Sequence, residues 1–361
     1  MKNAEKGNAL APEQYGSRKH HRSIDLAVNK ALTFDLLRQL KKPGGLCSND
    51  AKSCYDLIGH PQASLAMQRC WVSKSIIKCL FSQLQNATHL VRTGHGDSSS
   101  CYGGSNWAKP YHVIGQGNGA GPAIWAVISS PLLNLLRKKG FHCHFVAPLS
   151  SIDIKFSGYS FVDDTDLVIV KLSGGIYEEI ITALQESVDT WERGLNATSG
   201  AIVPEKTFWF LIDFAWKAGQ WRYKSIKESP GKLYANDIHG NRVSLRRYEA
   251  HEAQETLGIF LAPDGNHKEQ IAKMLRVSQK WADAMRSGCL SRSDVRLSLI
   301  STIWKTLLYP LPALNLTKEE CEKLMAPILQ YCLPAMGFCR NFPRDIVFAP
   351  ISCMGVGIEH L

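Results

Sequence analysis

The chain lacks an apolar run long enough to cross a bilayer. Its most hydrophobic stretch, residues 123–136, includes Ser129, Ser130, Pro131 and Asn134 and falls short of the roughly 18–20 residues a span requires. It also lacks an apolar block near its start, where Met-Lys-Asn-Ala-Glu-Lys-Gly-Asn is polar throughout. No secretory signal is read there, and an intracellular location is expected, nucleus and cytoplasm being undistinguished. There is no Cys-x-x-Cys pair, and the eleven cysteines are odd in number, so reduced thiols are expected rather than a disulfide framework. The densest His/Cys cluster, His142-Cys143-His144, would send alternate residues to opposite faces of a strand and does not make a zinc site. Internal repeats and low-complexity tracts are absent as well.

What is present is an ordinary globular composition: 361 residues, 45% hydrophobic and 20% charged, enough for two or three subdomains. Lysine and arginine number 42 against 32 acidic residues, a formal charge of +10, which favours a polyanionic partner. The excess sits at the two ends. Residues 2–42 hold nine basic and four acidic side chains, and residues 268–305 hold eight and three. Each run alone also fits a solvated helix face.

Periodicity predicts a helix over 22–40, with Ile24, Ala27, Val28, Ala31, Phe34 and Leu37 on one face. Lys41-Lys42-Pro43-Gly44-Gly45 ends it. A short segment at 46–51 precedes a helical stretch at 63–85, and 93–121 reads as loop with one strand pair. Gly121-Pro122 opens a helix to about residue 139. Strands are expected at 155–162 and 167–172, joined by the turn Asp163-Asp164-Thr165-Asp166. A helix at 177–192, a strand at 206–214, a hairpin at 222–247 and a short strand at 257–261 follow. Helices are expected at 268–285, 291–308 and 317–336. In the first of these, Ile271, Leu275, Ala282 and Met285 mark one face and Lys273, Arg276 and Lys280 another.

Joining a nucleoside triphosphate to a 3′-hydroxyl needs a lowered hydroxyl pKa and a neutralised leaving pyrophosphate, which two divalent ions held by carboxylates supply. A compact scaffold for them is a strand ending in one Asp beside a hairpin carrying two. Asp50 follows a glycine break, and Asp163-Asp164 lie 113 residues later on the expected hairpin tip. Taken singly, each is an ordinary turn feature. In this order they resemble the reverse transcriptase family, particularly the non-LTR retrotransposon and group II intron type. Phe161-Val162-Asp163-Asp164 resembles that family's Tyr/Phe-x-Asp-Asp box, and residues 50–60, with Tyr55-Asp56, resemble its first acidic motif. Gln116-Gly117-Asn118-Gly119-Ala120-Gly121-Pro122 resembles its Gln-Gly-x-x-x-Ser-Pro loop, with Gly121 in place of the usual Ser. Residues 200–207 resemble the next motif, where Val203 or Pro204 replaces the usual Asn. Glu255-Thr256-Leu257-Gly258-Ile259 is similar to the primer-gripping segment, and Gln14-Tyr15-Gly16-Ser17-Arg18 to the end of the fingers.

The resemblance covers residues 11–361 and implies an α+β fold: a right-hand polymerase palm, its antiparallel sheet packed on helices, with partial fingers and a helical C-terminal thumb. It implies partial fingers at 1–45, palm at 46–250 with a finger-like loop at 86–122, and primer grip with thumb at 251–361. Asp50, Asp163 and Asp164 would hold two Mg2+ ions, Mn2+ being able to substitute, and Lys206 would supply a proton or charge to the leaving pyrophosphate. Tyr55, Gln116, Gly117 and Pro122 would bind the incoming deoxynucleotide, the Tyr55 ring excluding a 2′-hydroxyl. Arg18, Arg22, Lys273, Arg276 and Lys280 would contact nucleic acid. The implied activity is RNA-directed DNA polymerisation on an RNA template with a DNA primer and deoxynucleoside triphosphates, without a membrane; protein partners are not indicated. Only thirteen residues precede Gln14, where relatives carry further triphosphate-binding residues. The alternative is therefore a retroelement fragment, weak or inactive, that only binds nucleic acid. An RNA-copying polymerase is disfavoured by Tyr55, and a two-metal nuclease leaves the Gln-Gly loop unexplained. No endonuclease or ribonuclease H is suggested at either end.

Overall fold

Alternation along one strand organises the larger part of the molecule. In the computed structural model, which describes residues 1–103, 114–115, 117–147, 149–170 and 176–361, the strand Gly44–Asp50 lies at the centre of a five-stranded sheet. It pairs antiparallel with Asp164–Val170 on one side and Phe208–Ile212 on the other. Gly158–Phe161 adds antiparallel to the outer edge of the first neighbour, and Arg246–Tyr248 adds parallel to the second. Side chains at successive positions point to opposite faces. Cys47, Leu167, Trp209, Ile169 and Leu211 share one face and enter the main buried cluster. That cluster is closed by Ile124, Trp125, Ile128, Leu133 and Leu136 of the helix Gly121–Lys138, and by Ile180, Leu184, Val188, Trp191 and Leu195 of the helix Tyr177–Ala197. Leu46, Val168, Val170, Phe210 and Ile212 are buried on the other face. A sheet covered on both sides explains the unbroken aliphatic run at 167–170.

Close approach is settled by two glycines. A Cβ at Gly45 would lie 2.9 Å from Leu184 Cδ2, so the helix Tyr177–Ala197 seats directly on the strand. At Gly158, φ is +157° and a Cβ would meet the Asp166 carbonyl oxygen at 1.7 Å, which no other residue accommodates.

Several expected elements differ in detail. The stretch 63–85 is two helices, His60–Arg69 and Lys74–Asn86. The loop before residue 104 carries two short strand pairs, Thr88–His89 with Tyr102–Gly103 and Arg92–Thr93 with Gly96–Asp97. The turn after Phe161 is only Val162 and Asp163, because Phe161 pairs with Asp164 and the next polar residues are already in the strand. Beyond Ile212 the chain forms the hairpins Phe214–Lys217 with Gln220–Tyr223 and Tyr234–Asn236 with Arg242–Ser244. In the His142-Cys143-His144 trio, Cys143 is buried and His144 pairs with Asp153 at 3.0 Å. All eleven cysteines are free thiols. No helix among the described residues is long and apolar enough to cross a membrane.

The chain divides into two compact units, residues 1–26 with 36–250 and residues 27–35 with 251–361. The second unit is helical after the strand pair Gln254–Thr256 and Ile259–Leu261. The helix Lys268–Ser287 buries Gln270, Met274, Ser278, Trp281 and Ala282. Its inward stripe thus runs one position ahead of the expected one, because the Trp281 indole N–H reaches Ser298 Oγ at 3.0 Å and draws that side of the helix inward. The stretch 291–308 is one continuous run, Arg292–Ser298, a π-helical turn Leu299–Trp304 and Lys305–Leu308. The helix Lys318–Ala335 starts with a capping box between Thr317 and Glu320. Lys30, buried in this unit, donates to Thr256 Oγ1 at 2.8 Å.

Candidate functional site

The strand register brings the candidate carboxylates together. Asp50, the last residue of its strand, is the direct partner of Asp164, the first residue of its own. Directly opposed residues point to the same side, and Asp163 occupies the turn immediately before Asp164. Alternation also separates Asp50 from its neighbour. Asn49 turns into the helix-packed face, where its amide donates to the Thr165 carbonyl at 2.8 Å and its Oδ1 accepts from Trp191 Nε1 at 2.8 Å. Asp50 is left at the open end of the opposite face.

Lys206 arrives at the same place by a second route. The segment before Phe208–Ile212 docks on the end of the central strand: Lys52 N–H donates to the Ala201 carbonyl at 2.8 Å and Val203 N–H to the Asp50 carbonyl at 3.1 Å. From there the Lys206 ammonium donates to Asp50 Oδ2 at 2.8 Å. That bond, with the Asp163 and Asp164 charges behind it, raises the lysine's pKa. Burial, with the Asp50 charge adding to it, pushes the Asp163 carboxyl above its ordinary value. The Asp50–Asp163 repulsion and the ammonium drawn into the cluster mark a place that favours positive charge.

The turn carrying Asp163 is held in an unusual shape. Val162 has φ +59°, a conformation that a β-branched residue rarely adopts. Its N–H donates to Gln14 Oε1 at 3.1 Å, and its carbonyl accepts from the Trp125 indole N–H and from Gln14 Nε2 at 3.4 Å. Gln14 is fully buried and also donates to Ser129 Oγ at 2.9 Å and Ser160 Oγ at 3.0 Å. The turn is thus over-determined by its neighbours, as a strained conformation must be to persist. Sequence reading placed Gln14 in a motif without seeing this grip. Trp125 gave a usable signal, since a buried indole N–H in an apolar helix must find an acceptor.

Tyr55 faces the start of the helix Gly121–Lys138. A Cβ at Gly121 would stand 3.2 Å from the Tyr55 ring, so glycine there lets the ring pack against the helix start. Burial, with Cys54 and Asp163 adding to it, pushes the phenol up to about 12, so it stays protonated. Pro122 lies in the first turn of that helix, and Gly117 is exposed with φ +87°. Gln116 lies outside the described residues.

The basic candidates divide. Arg18 is turned inward: its guanidinium pairs with Glu5 at 2.8 Å and donates to the carbonyls of Ala11 and Gln14 at 2.9 and 3.0 Å. Those bonds fix the segment bearing Gln14 and engage the Arg18 guanidinium within the protein. Arg22 is exposed at the start of the helix Ser23–Leu40 and pairs with Asp25. In the second unit, Lys273 donates to Glu255 at 2.6 Å and to the Gly258 carbonyl at 2.7 Å, which ties the helix to the strand pair. Arg276 and Lys280 are exposed.

Among the described residues no three His, Cys, Asp or Glu side chains are already gathered as a metal cage. The donor chemistry still suits a hard divalent cation: carboxylate oxygens from adjoining strands, repelling one another, with an ammonium standing where positive charge is wanted.

No family model matches the chain, and no curated protein matches it. Similar solved structures include apo telomerase from Candida tropicalis, at TM-score 0.41 and 13% identity over 90% of this chain and 46% of that one. Telomerase from Candida albicans, in complex with a fragment of telomeric RNA, gives TM-score 0.38 and 14% identity over 92% of this chain and 48% of that one. The Candida tropicalis enzyme truncated from its C-terminal domain gives 0.37 and 15% over 64% and 41%. The chain spans about half the length of these structures or less.

Proposed function

We propose that the chain is a nucleotidyltransferase of the reverse transcriptase kind, related to the non-LTR retrotransposon and group II intron type, which extends a DNA primer on an RNA template. The observation that carries this reading is the register of Asp50 against Asp164, with Asp163 on the adjoining turn and Lys206 reaching Asp50. Turn position and spacing resembled the family's acidic motifs; the pairing makes those residues neighbours.

Asp50, Asp163 and Asp164 would hold Mg2+, or Mn2+ in its place, which lowers the pKa of the attacking primer hydroxyl and offsets charge on the leaving pyrophosphate. Lys206, held protonated by its bond to Asp50, would move to the pyrophosphate side and give its proton to the leaving oxygen. The Tyr55 ring, fixed against Gly121, would lie under the sugar and reject a 2′-hydroxyl. Gln14 and Trp125 would keep Asp163 in place through the Val162 turn.

The test is primer extension on an RNA template with Mg2+ and deoxynucleotides, comparing the chain with Asp163→Asn. Extension by the first and none by the second is expected. Equal signals from both would end the polymerase reading and leave a chain that only binds nucleic acid.

A further inference from the structure

A second charged site lies in the first unit, at the far end of the helix whose start packs against Tyr55. Arg137 is sixteen residues beyond Gly121, which at ~1.5 Å per residue puts it about 24 Å away. There a cavity of about 720 Å3 is lined by Arg69, Arg137, Lys138 and Lys155, with His142 beside them and Pro131 and Leu135 among its apolar lining. The cations come from three separate elements: Arg69 from the end of His60–Arg69, Arg137 and Lys138 from the last turn of Gly121–Lys138, and Lys155 from the strand Asp153–Phe156. Cations in the last turn of a helix suit its dipole, but that does not explain why Arg69 and Lys155 converge on the same hollow.

Some of these charges are committed and some are not. Arg137 stands over the buried Glu13 carboxylate at 3.1 Å, and Arg69 donates to the Ala9 carbonyl at 2.8 Å. Lys138 and Lys155 are exposed and make no ion pair with another described residue. No acidic side chain among the described residues lines the cavity. Burial and the charges of Lys155, His144 and Arg137 lower the pKa of His142, as expected in a field of positive charge.

We infer that this cavity is a second nucleic-acid site, which grips the phosphodiester backbone of a single strand away from the carboxylates. The cations reach the hollow from three separate elements, which suits successive phosphates better than one free nucleotide. Among the described residues no Phe, Tyr or Trp lines it and its one ring is the His142 imidazole, so it offers little stacking surface to select a base. The expectation is binding without sequence preference and with strong salt dependence.

The experiment measures anisotropy of fluorescein-labelled oligouridylate bound to the whole chain in EDTA, so that neither Mg2+ nor polymerisation enters the readout. Lys138→Gln with Lys155→Gln is compared with a control of equal charge change, Lys74→Gln with Lys78→Gln, on the exposed side of another helix of the same unit. The site pair is expected to weaken binding about tenfold at moderate salt. It should reduce the slope of log K against log salt by about 1.4, two contacts at ~0.7 each for a single strand. The control should change affinity less than about twofold. Thermal melts of both variants check that the fold is kept, and Lys155→Gln alone gives the same reading if the pair melts early. Equal losses in site pair and control, or an unchanged site pair, would overturn the inference. So would loss of uridine monophosphate binding with oligouridylate binding intact, which would assign the hollow to free nucleotides. The inference does not depend on polymerase activity: a chain that fails primer extension can still pass this test.

Discussion

One helix, Gly121–Lys138, touches two regions of opposite charge. At its start, three carboxylates and Lys206 are positioned by backbone pairing, by a strained turn and by a fully buried glutamine. At its end, four cations gather on flexible side chains whose only anionic partner among the described residues is Glu13 beneath Arg137. The first region is built for position and the second for charge. Displacing one atom should ruin the first, while the second should lose strength in equal, salt-screened steps.

The largest expected effect is at the acidic end. Asp50→Asn should lower primer extension by about 10³-fold or more while the far-ultraviolet circular dichroism is retained. A loss of only a few-fold would mean that this end, too, works by bulk charge. Gln14→Ala touches none of the acidic groups, yet it strips the Val162 turn of two hydrogen bonds. It should cost about 1–3 kcal/mol of stability in urea unfolding, from buried groups left unpaired. It should also cost about 10–100-fold in extension rate by misplacing Asp163. If stability falls and rate does not, the grip on the turn is structural only. Tyr55→Val should reduce discrimination against ribonucleotides about tenfold, measured as the ratio of kcat/KM for deoxy- and ribonucleoside triphosphates.

At the basic end, Lys138→Gln and Lys155→Gln should each weaken oligouridylate binding by about threefold and add when combined, because separated solvent-exposed charges act independently. Strong non-additivity would show that they act as a built constellation like the acidic end. The smallest effect concerns Glu13, buried beneath Arg137 with one carboxylate oxygen lacking a hydrogen-bond partner. Burial raises its carboxyl above the ordinary value despite Arg137 and the Ser157 N–H. The native state therefore keeps this proton to higher pH than the unfolded chain does. The stability it contributes is full below the unfolded value and is lost as pH rises through the native one. The urea midpoint of the wild type, relative to Glu13→Gln, should fall as pH rises out of the ordinary carboxyl range. A difference that stays flat or rises would mean that Arg137 holds the carboxylate charged.

Much of the fold was legible because local rules decide it. The 3.6-residue period and the Lys41-to-Gly45 break marked the helix Ser23–Leu40, and Pro122 and Gly140 bracketed Gly121–Lys138. The misplaced details are those where a distant partner decides. Trp281 reaches for Ser298 and turns its helix, and pairing of Phe161 with Asp164 shortens a four-residue polar stretch to a two-residue turn. That the Arg18 guanidinium turns onto Glu5 and two carbonyls is likewise decided by distant partners.

The order of the acidic motifs, their spacing and the basic excess were fixed by composition and local pattern alone, since turn chemistry and charge are properties of short segments. That Asp50 faces Asp164, that Gln14 holds the turn between strands more than a hundred residues downstream, and that Arg69, Lys138 and Lys155 surround one hollow were decided only in three dimensions. Strand register and helix packing are settled by which apolar faces bury one another, and that information is spread over the whole chain rather than written at any one site.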